Sequence, residues 1–240
     1  MGKNNEIEKI TEQTNYLLAE NLYSQMNPQK FVDWAVDLLQ KGFETESILI
    51  LAGLDNYPRQ EIEEYFWKSV NDLDLKLKKS DFELLENFAL YIANGVITNQ
   101  MNPKAGLRIM NDIVRESDYS NKYIQFYNLD EDIDYLNYDN RTLFNSFDKT
   151  DNIEEIIIEE FRLFLRAEQL NLDDQYRDFA YCLNCKIANK PKLKPKRNWI
   201  GKVEYNYWIC SNCGSKELEH FTNQKGKNLI LNKIEKENAT

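Results

Sequence analysis

Four cysteines, the only ones in the 240-residue chain, form two C-x2-C pairs. Cys182 and Cys185 make the first pair, Cys210 and Cys213 make the second, and 24 residues lie between the pairs. Two thiolates three positions apart on a tight turn can both face one cation, and a second such turn completes four ligands. The spacing therefore predicts one structural Zn²⁺ in a tetrahedral, closed site that leaves no position for a reacting water.

The compartment expected for the protein supports metal binding over disulfide formation. The first residues contain no apolar run of the kind found in secretory signals, and no stretch of about 20 apolar residues predicts a membrane span. We therefore expect a cytoplasmic protein with no membrane partner, in which thiols stay reduced. A redox-active pair is the alternative, but the βαβ context of such pairs is missing around these cysteines.

The two cysteine pairs resemble the knuckles of a zinc ribbon. The run Cys210-Ser-Asn-Cys213-Gly214 matches the usual knuckle, whereas Lys186 follows the first pair at a position where Gly is common. The resemblance covers about 50 residues and implies that each pair lies at the end of a β-hairpin. The remaining chain resembles an uncharacterised type of bacterial helical protein, which implies no activity.

Basic and aromatic residues are interleaved between the cysteine pairs. This combination suits binding to a nucleic-acid backbone and stacking on its bases. Two other interpretations remain open: the aromatic residues pack a hairpin against helices beside a solvated lysine loop, or the basic module docks on an acidic part of the same chain. The candidate nucleic-acid contacts are Lys192, Lys194, Lys196, Arg197, Trp199, Tyr205 and Tyr207.

Charge is distributed unevenly along the chain, whose formal net charge is −10. Residues 1–178 contain 18 Lys and Arg against 35 Asp and Glu, which gives −17. Residues 179–240 contain 12 Lys and Arg against 5 Glu, which gives +7. The change in sign predicts an acidic all-α domain over 1–178 and a basic zinc-ribbon module over 179–240.

The hydrophobic periodicity of the acidic part predicts seven or eight helices. The first runs from Glu6 to about Asn27, and the most regular opens with the capping box Ser80-Asp-Phe-Glu83. A short helix over 121–127 precedes an acidic, loop-like stretch over 130–139, and Asp151 is the expected cap of the last large helix. The fold class predicted is mainly α, a multi-helix bundle or irregular helical solenoid with a small C-terminal β zinc-ribbon module.

The sequence after residue 180 predicts strands in place of helices. Residues 199–210 alternate in polarity and are rich in Tyr, Trp, Val and Ile, so they predict strands with a bend at Gly201. Residues 221–231 predict a closing hairpin, and a terminal helix is the alternative for the same segment.

Other clusters of polar residues carry no specific chemistry. His220 is the only histidine, and no neighbouring motif places it in a catalytic triad. Glu154, Glu155, Glu159 and Glu160 fall on one helix, where we expect them to form a solvated face. The sequence contains no P-loop and no other nucleotide-binding or nucleophile motif.

These patterns predict a non-enzymatic, zinc-binding interaction protein. Its acidic helical domain is expected to bind a protein partner, in one version a basic toxin or nuclease in an antitoxin-like or immunity-like role. The alternative function is nucleic-acid binding through the basic aromatic segment.

Overall fold

The structure is a computed structural model that describes residues 2–23, 27–78, 80–172 and 174–238. The chain separates into two compact units, Met1–Phe88 and Ala89–Thr240, each of which is described here by itself. The domain boundary expected near residue 178 follows the change in charge and stays a prediction.

Helices dominate the described residues, which confirms the mainly-α prediction with a small β module. None of these helices has the length and apolar content needed to cross a bilayer. In the described part of the chain the helices are α1 Gly2–Tyr23, α2 Gln29–Gln40, α3 Glu46–Ala52, α4 Arg59–Asp72, α5 Asp81–Ile97, α6 Pro103–Glu116, α7 Ile124–Asp139, α8 Ile153–Gln169 and α9 Gln224–Asn238, with a 3₁₀ turn at Asp174–Asp178. The predicted extension of the first helix through residues 24–26 lies outside the described residues.

An aromatic cluster forms the centre of the first unit. The ring of Phe66 on α4 lies 4.1 Å from that of Phe31 and 5.1 Å from that of Trp34, both on α2. The indole of Trp34 donates a hydrogen bond of 3.1 Å to the buried hydroxyl of Thr14 on α1. Because these side chains recur at helical spacing, one stripe of each helix is buried while its acidic face stays outside.

The second unit packs α5, α6 and α8 closely at Gly106. A Cβ atom at this position would lie 2.5 Å from Cγ2 of Val96 and 3.2 Å from the ring of Phe161, so only glycine permits the approach. The ring of Phe161 in turn lies 4.8 Å from that of Phe126 on α7.

At the start of α5, the Ser80 hydroxyl accepts a hydrogen bond from the Glu83 amide, as the predicted capping box requires.

Helix α7 corrects the prediction of an acidic loop over 130–139. Asp132 is fully buried, and its carboxylate accepts hydrogen bonds from the amides of Phe144 at 2.9 Å and Asn145 at 2.8 Å. Gln125 and Asn128 are buried on the same side of the helix. The acidic residue is therefore a tertiary anchor for the following loop, which composition alone does not reveal. At α8, the cap is Asn152 and not Asp151.

The C-terminal strands form two small antiparallel sheets. Strand β1 (Ala180–Cys182) lies between β2 (Ala188–Asn189) and β5 (Leu218–His220), and β3 (Lys192–Arg197) pairs with β4 (Val203–Ile209). The expected strand content is present, but the hairpin begins at Lys192, earlier than the predicted start at Trp199. We call β3, β4 and their connecting loop the arm, and this arm lies between the two cysteine pairs.

Helix α9 replaces the closing hairpin predicted over 221–231, and the alternative of a terminal helix is correct. Its Ile230 and Leu231 are buried with Leu163 of α8 and with Phe221, directly after β5. A Cβ atom at Gly226 would lie 2.1 Å from the carbonyl oxygen of His220, so α9 abuts the backbone of β5. The cysteine-bearing sheet therefore shares its apolar core with two helices.

Polar contacts also join α8 to α9, and one of them corrects the prediction for Glu160. This residue was expected on a solvated face, but it is buried and pairs with the buried ammonium of Lys227. One and a half turns later, Arg166 binds both carboxylate oxygens of Glu235 at 3.0 and 2.9 Å. The interface between these helices is thus held by charge pairs as well as by apolar packing.

Candidate metal centre and basic arm

The four cysteine thiols converge on one point. Their sulfur atoms all lie within 4.8 Å of one another. The Sγ atoms of Cys182 and Cys213 are 3.6 Å apart, and those of Cys185 and Cys210 are also 3.6 Å apart. Four sulfurs at about 2.3 Å from a tetrahedral Zn²⁺ are separated by about 3.8 Å. The residues present therefore fit a tetrahedral metal ion with an all-thiolate ligand set.

Matching main-chain turns present the two cysteine pairs. In the first turn, the Lys186 amide donates a hydrogen bond of 2.9 Å to the carbonyl of Cys182. In the second turn, the Gly214 amide donates a hydrogen bond of 3.0 Å to the carbonyl of Cys210. Lys186 and Gly214 both adopt left-handed backbone angles, with φ of 58° and 74°. The lysine that departs from the usual glycine thus adopts the same turn, at a steric strain of about 1 kcal/mol.

Two asparagines support the sulfur atoms, and sequence reasoning missed both of them. The Asn189 amide nitrogen lies 3.4 Å from Sγ of Cys210, and that of Asn184 lies 3.6 Å from Sγ of Cys213. The Asn189 side-chain oxygen accepts 2.7 Å from the Ser211 hydroxyl, which fixes the orientation of the amide. Asn184 lies within the first C-x2-C pair and Asn189 lies four residues after it, and this proximity in sequence is the signal that could have indicated donors to the thiols.

The surroundings of the thiols shift their pKa values in opposite directions. Burial raises the pKa of the Cys182 thiol to about 11. Burial also opposes ionisation of Cys210, but donors from the Asn189 side chain and from the backbone of Cys213 and Asn212 outweigh it and lower its pKa to about 6. The exposed Cys213 has a lowered pKa because the Ser215 backbone and the Asn184 side chain donate to its sulfur. The surroundings therefore stabilise the thiolate form of Cys210 and Cys213, and destabilise that of Cys182, relative to a free cysteine.

No match to this chain was found among protein-family models, curated proteins or solved structures.

The arm brings five of the seven candidate nucleic-acid contacts onto one face. Paired residues on antiparallel strands share a face, and the register pairs Lys194 with Tyr207 and Lys196 with Tyr205. Lys192 lies on the same face by alternation along β3. Every residue of β3 is exposed, and Tyr205 is 51% exposed. We call this set of Lys192, Lys194, Lys196, Tyr205 and Tyr207 the basic aromatic face.

The other two candidates, Arg197 and Trp199, lie outside the basic aromatic face. Alternation along β3 places Arg197 on the opposite face, and a bulge after Lys196 makes Val203 its pairing partner. The Arg197 guanidinium donates a hydrogen bond of 2.9 Å to the carbonyl of Gly201 and thereby stabilises the loop at the tip of the arm. Trp199 sits in this loop and is 96% exposed.

The arm therefore faces solvent, which bears on the interpretations left open by the sequence. Tyr205, Trp199 and Trp208 are all exposed within the described structure, so aromatic packing against helices does not account for them. Trp208, at the base of the arm, lies edge-on to the ring of His220 at 6.2 Å. Half burial lowers the pKa of that histidine.

Proposed function

We propose that this protein is a zinc-stabilised, non-enzymatic nucleic-acid-binding protein that uses the basic aromatic face. The single observation that carries the proposal is the placement of three lysines and two tyrosines on one face of the arm, where the lysines and Tyr205 are exposed and Tyr207 is partly buried. Lysines supply the charge that attracts phosphates, and exposed aromatic rings supply surfaces for bases.

Zn²⁺ is the ion that suits the four thiols best, because thiolate ligands in tetrahedral geometry favour it. When bound, it fastens the two knuckles from which the arm projects. The matching turns at Lys186 and Gly214 support the resemblance to a zinc ribbon. Because four thiolates complete the ligand set, the proposed role includes no catalytic step.

Local ion pairing leaves the arm strongly basic. Lys196 lies 3.6 Å from Glu204, which is the acidic residue of the two strands. Lys216, from the loop after the second knuckle, extends over the ring of Tyr207 at 4.2 Å and adds a further positive charge. A phosphate chain lying along this face would meet a row of ammonium groups on one side of the rings.

Charge reversal at Lys194 is the direct test of this proposal. We expect Lys194→Glu to weaken binding of a labelled oligonucleotide about tenfold and to reduce the slope of log affinity against log salt by about 1. Fluorescence anisotropy across a salt series measures both quantities. Lys104→Glu on α6 is the control, because it changes net charge equally at an exposed position outside the arm. No binding at low salt, or equal losses in both variants, would remove the proposal.

A second proposal concerns a basic protein partner for the first unit. The observation that favours it is the surface of Met1–Phe88, which contains 17 Asp and Glu against 9 Lys and Arg. This surface exposes Trp67 on α4, where the nearby Glu63 and Glu64 pair with Arg59 and Lys68. An exposed large aromatic side chain on a unit with a net negative charge suits a basic partner that associates rapidly.

Affinity capture with matched tryptophan variants tests this partner. We expect a basic protein to be captured by the wild type and by Trp199→Ala, and to be lost with Trp67→Ala or at high salt. Capture that is reproducible but unaffected by Trp67→Ala, or no reproducible capture, would argue against the acidic surface.

A further inference from the structure

We propose that the basic aromatic face binds single-stranded nucleic acid, with one base on each of Tyr205 and Tyr207. This inference rests on the proposed function and specifies its ligand. It follows from the spacing, tilt and pairing of the two rings, and the spacing and the tilt disfavour a duplex.

The spacing of the rings admits one base per ring. The ring centroids of Tyr205 and Tyr207 are 6.2 Å apart. Bases along each strand of a duplex are separated by about 3.4 Å. The separation of the tyrosines is therefore nearly twice the stacking distance, and it matches a strand whose adjacent bases have moved apart.

The tilt of the two rings also disfavours a duplex. The two ring planes differ by 58°. Base pairs in a duplex lie parallel, and each covers the faces of its neighbours, so a ring on a protein surface cannot stack on them without disruption. Bases lying on these two rings would be inclined to each other, which only an unstacked strand permits.

The register supplies a charged group for each ring. Lys194 lies directly opposite Tyr207, and Lys196 lies directly opposite Tyr205. The Lys196 ammonium is 5.0 Å from the centre of the Tyr205 ring. The Lys216 ammonium lies 4.2 Å from the centre of the Tyr207 ring. A base that stacks on the covered face of either ring would displace this ammonium or that of Lys196, and the displaced group could pair with the phosphate of the same nucleotide. The two pairs of ring and opposite lysine repeat every two residues, at about 6.8 Å along the strand.

The path of the strand extends toward the tip of the arm. Beyond Tyr205, β4 leads to the loop that exposes Trp199. Five residues, 200–204, lie between Trp199 and Tyr205 in sequence, and they include the turn at the tip. We therefore expect Trp199 to receive a further base, so that affinity rises with oligonucleotide length up to about four nucleotides and then levels off.

Three ligands with the same number of phosphates separate stacking from charge. These are a 12-mer oligothymidylate, a 12-nucleotide oligomer without bases, and a duplex of equal phosphate count. We expect the oligothymidylate to bind at least tenfold more tightly than either of the others in fluorescence anisotropy at one salt concentration.

Tyrosine variants test whether the preference for oligothymidylate depends on the basic aromatic face. Tyr205→Ala and Tyr207→Ala should each weaken oligothymidylate binding about tenfold and leave binding of the base-free oligomer unchanged. Tyr205→Phe should retain the affinity, because the ring and not the hydroxyl does the stacking. Tyr138→Ala is the control, since Tyr138 is 93% exposed on α7, outside the arm. Circular dichroism and zinc content verify that each variant is folded.

The outcomes distinguish the two levels of the proposal. Equal binding of all three ligands, or tighter binding of the duplex, with no effect of the tyrosine variants, would overturn the single-strand inference while nucleic-acid binding stands. Failure of every ligand to bind at low salt would overturn both.

Discussion

Removing the metal from the four-thiol site will unfold the β strands at the C terminus, the largest effect that we expect from any single change. Strands β1, β2 and β5 contain three, two and three residues. Besides these few strand hydrogen bonds, the sheet has only the apolar core that it shares with α8 and α9 to support the knuckles, whereas zinc binding contributes about 10–16 kcal/mol in small zinc peptides. The arm projects from these knuckles and should lose its fixed orientation as well.

Elemental analysis and thermal unfolding measure this effect. We expect about one zinc per chain in the reduced wild-type protein. Cys210→Ser should abolish stoichiometric zinc and lower the unfolding temperature of the strands, as should a strong chelator. Asn189→Ala should weaken zinc affinity about 10- to 100-fold without abolishing it, because it removes a donor to Sγ of Cys210.

A neighbouring position provides the matched control. Asn212→Ala lies in the same knuckle at an exposed position and leaves the four thiols and the main-chain donors intact. It should retain both zinc and stability. Reduced protein without zinc, or Cys210→Ser with unchanged metal content and unfolding temperature, would contradict the prediction.

The second large effect is expected at the buried ion pair between Glu160 and Lys227. Their side chains are only 2% and 4% exposed, and the Lys227 ammonium also lies 5.7 Å from the centre of the Phe221 ring. Glu160→Ala should lower the free energy of unfolding by about 3–5 kcal/mol, because the ammonium loses its counter-charge while remaining buried. Urea unfolding followed by circular dichroism measures the change.

Two variants separate the ion pair from a general effect on α8. Glu159→Ala removes the adjacent carboxylate, which is 39% exposed, and should change stability by about 0.5 kcal/mol or less. The double variant Glu160→Leu, Lys227→Met should recover most of the loss, because apolar side chains of similar size replace the pair. Equal unfolding curves for the wild type and Glu160→Ala would contradict the assignment.

The pH dependence of Glu160→Ala gives an independent check. Burial lowers the pKa of Lys227, opposed in the wild type by Glu160 and reinforced by Arg177. A lysine with a lowered folded-state pKa holds fewer protons folded than unfolded, so stability rises with pH toward the unfolded value near 10.5. Without Glu160 this lowering increases, and the stability deficit of the variant should shrink as pH rises.

Local sequence patterns predicted much of the fold correctly, and they were wrong where contacts between distant residues determine the structure. The capping box at Ser80 is local, because its bonds join residues three positions apart, and it was predicted correctly. Helix α7 and the burial of Glu160 were not predicted, because they depend on contacts between residues far apart in sequence. The partner of Asp132 lies 12 positions away, and the partner of Glu160 lies 67 positions away. Helix α9 remained ambiguous because its short apolar run suits a strand until Ile230 and Leu231 meet α8.

The sequence by itself determined which four thiols could hold a metal ion. Each C-x2-C pair closes within a single turn, so its geometry depends on spacing alone and not on the rest of the fold. Only the tertiary structure decided which basic and aromatic residues share a face of the arm. Strand register places Lys194 beside Tyr207 and Lys196 beside Tyr205. Register depends on pairing between segments, and a one-residue shift reverses every side chain that follows.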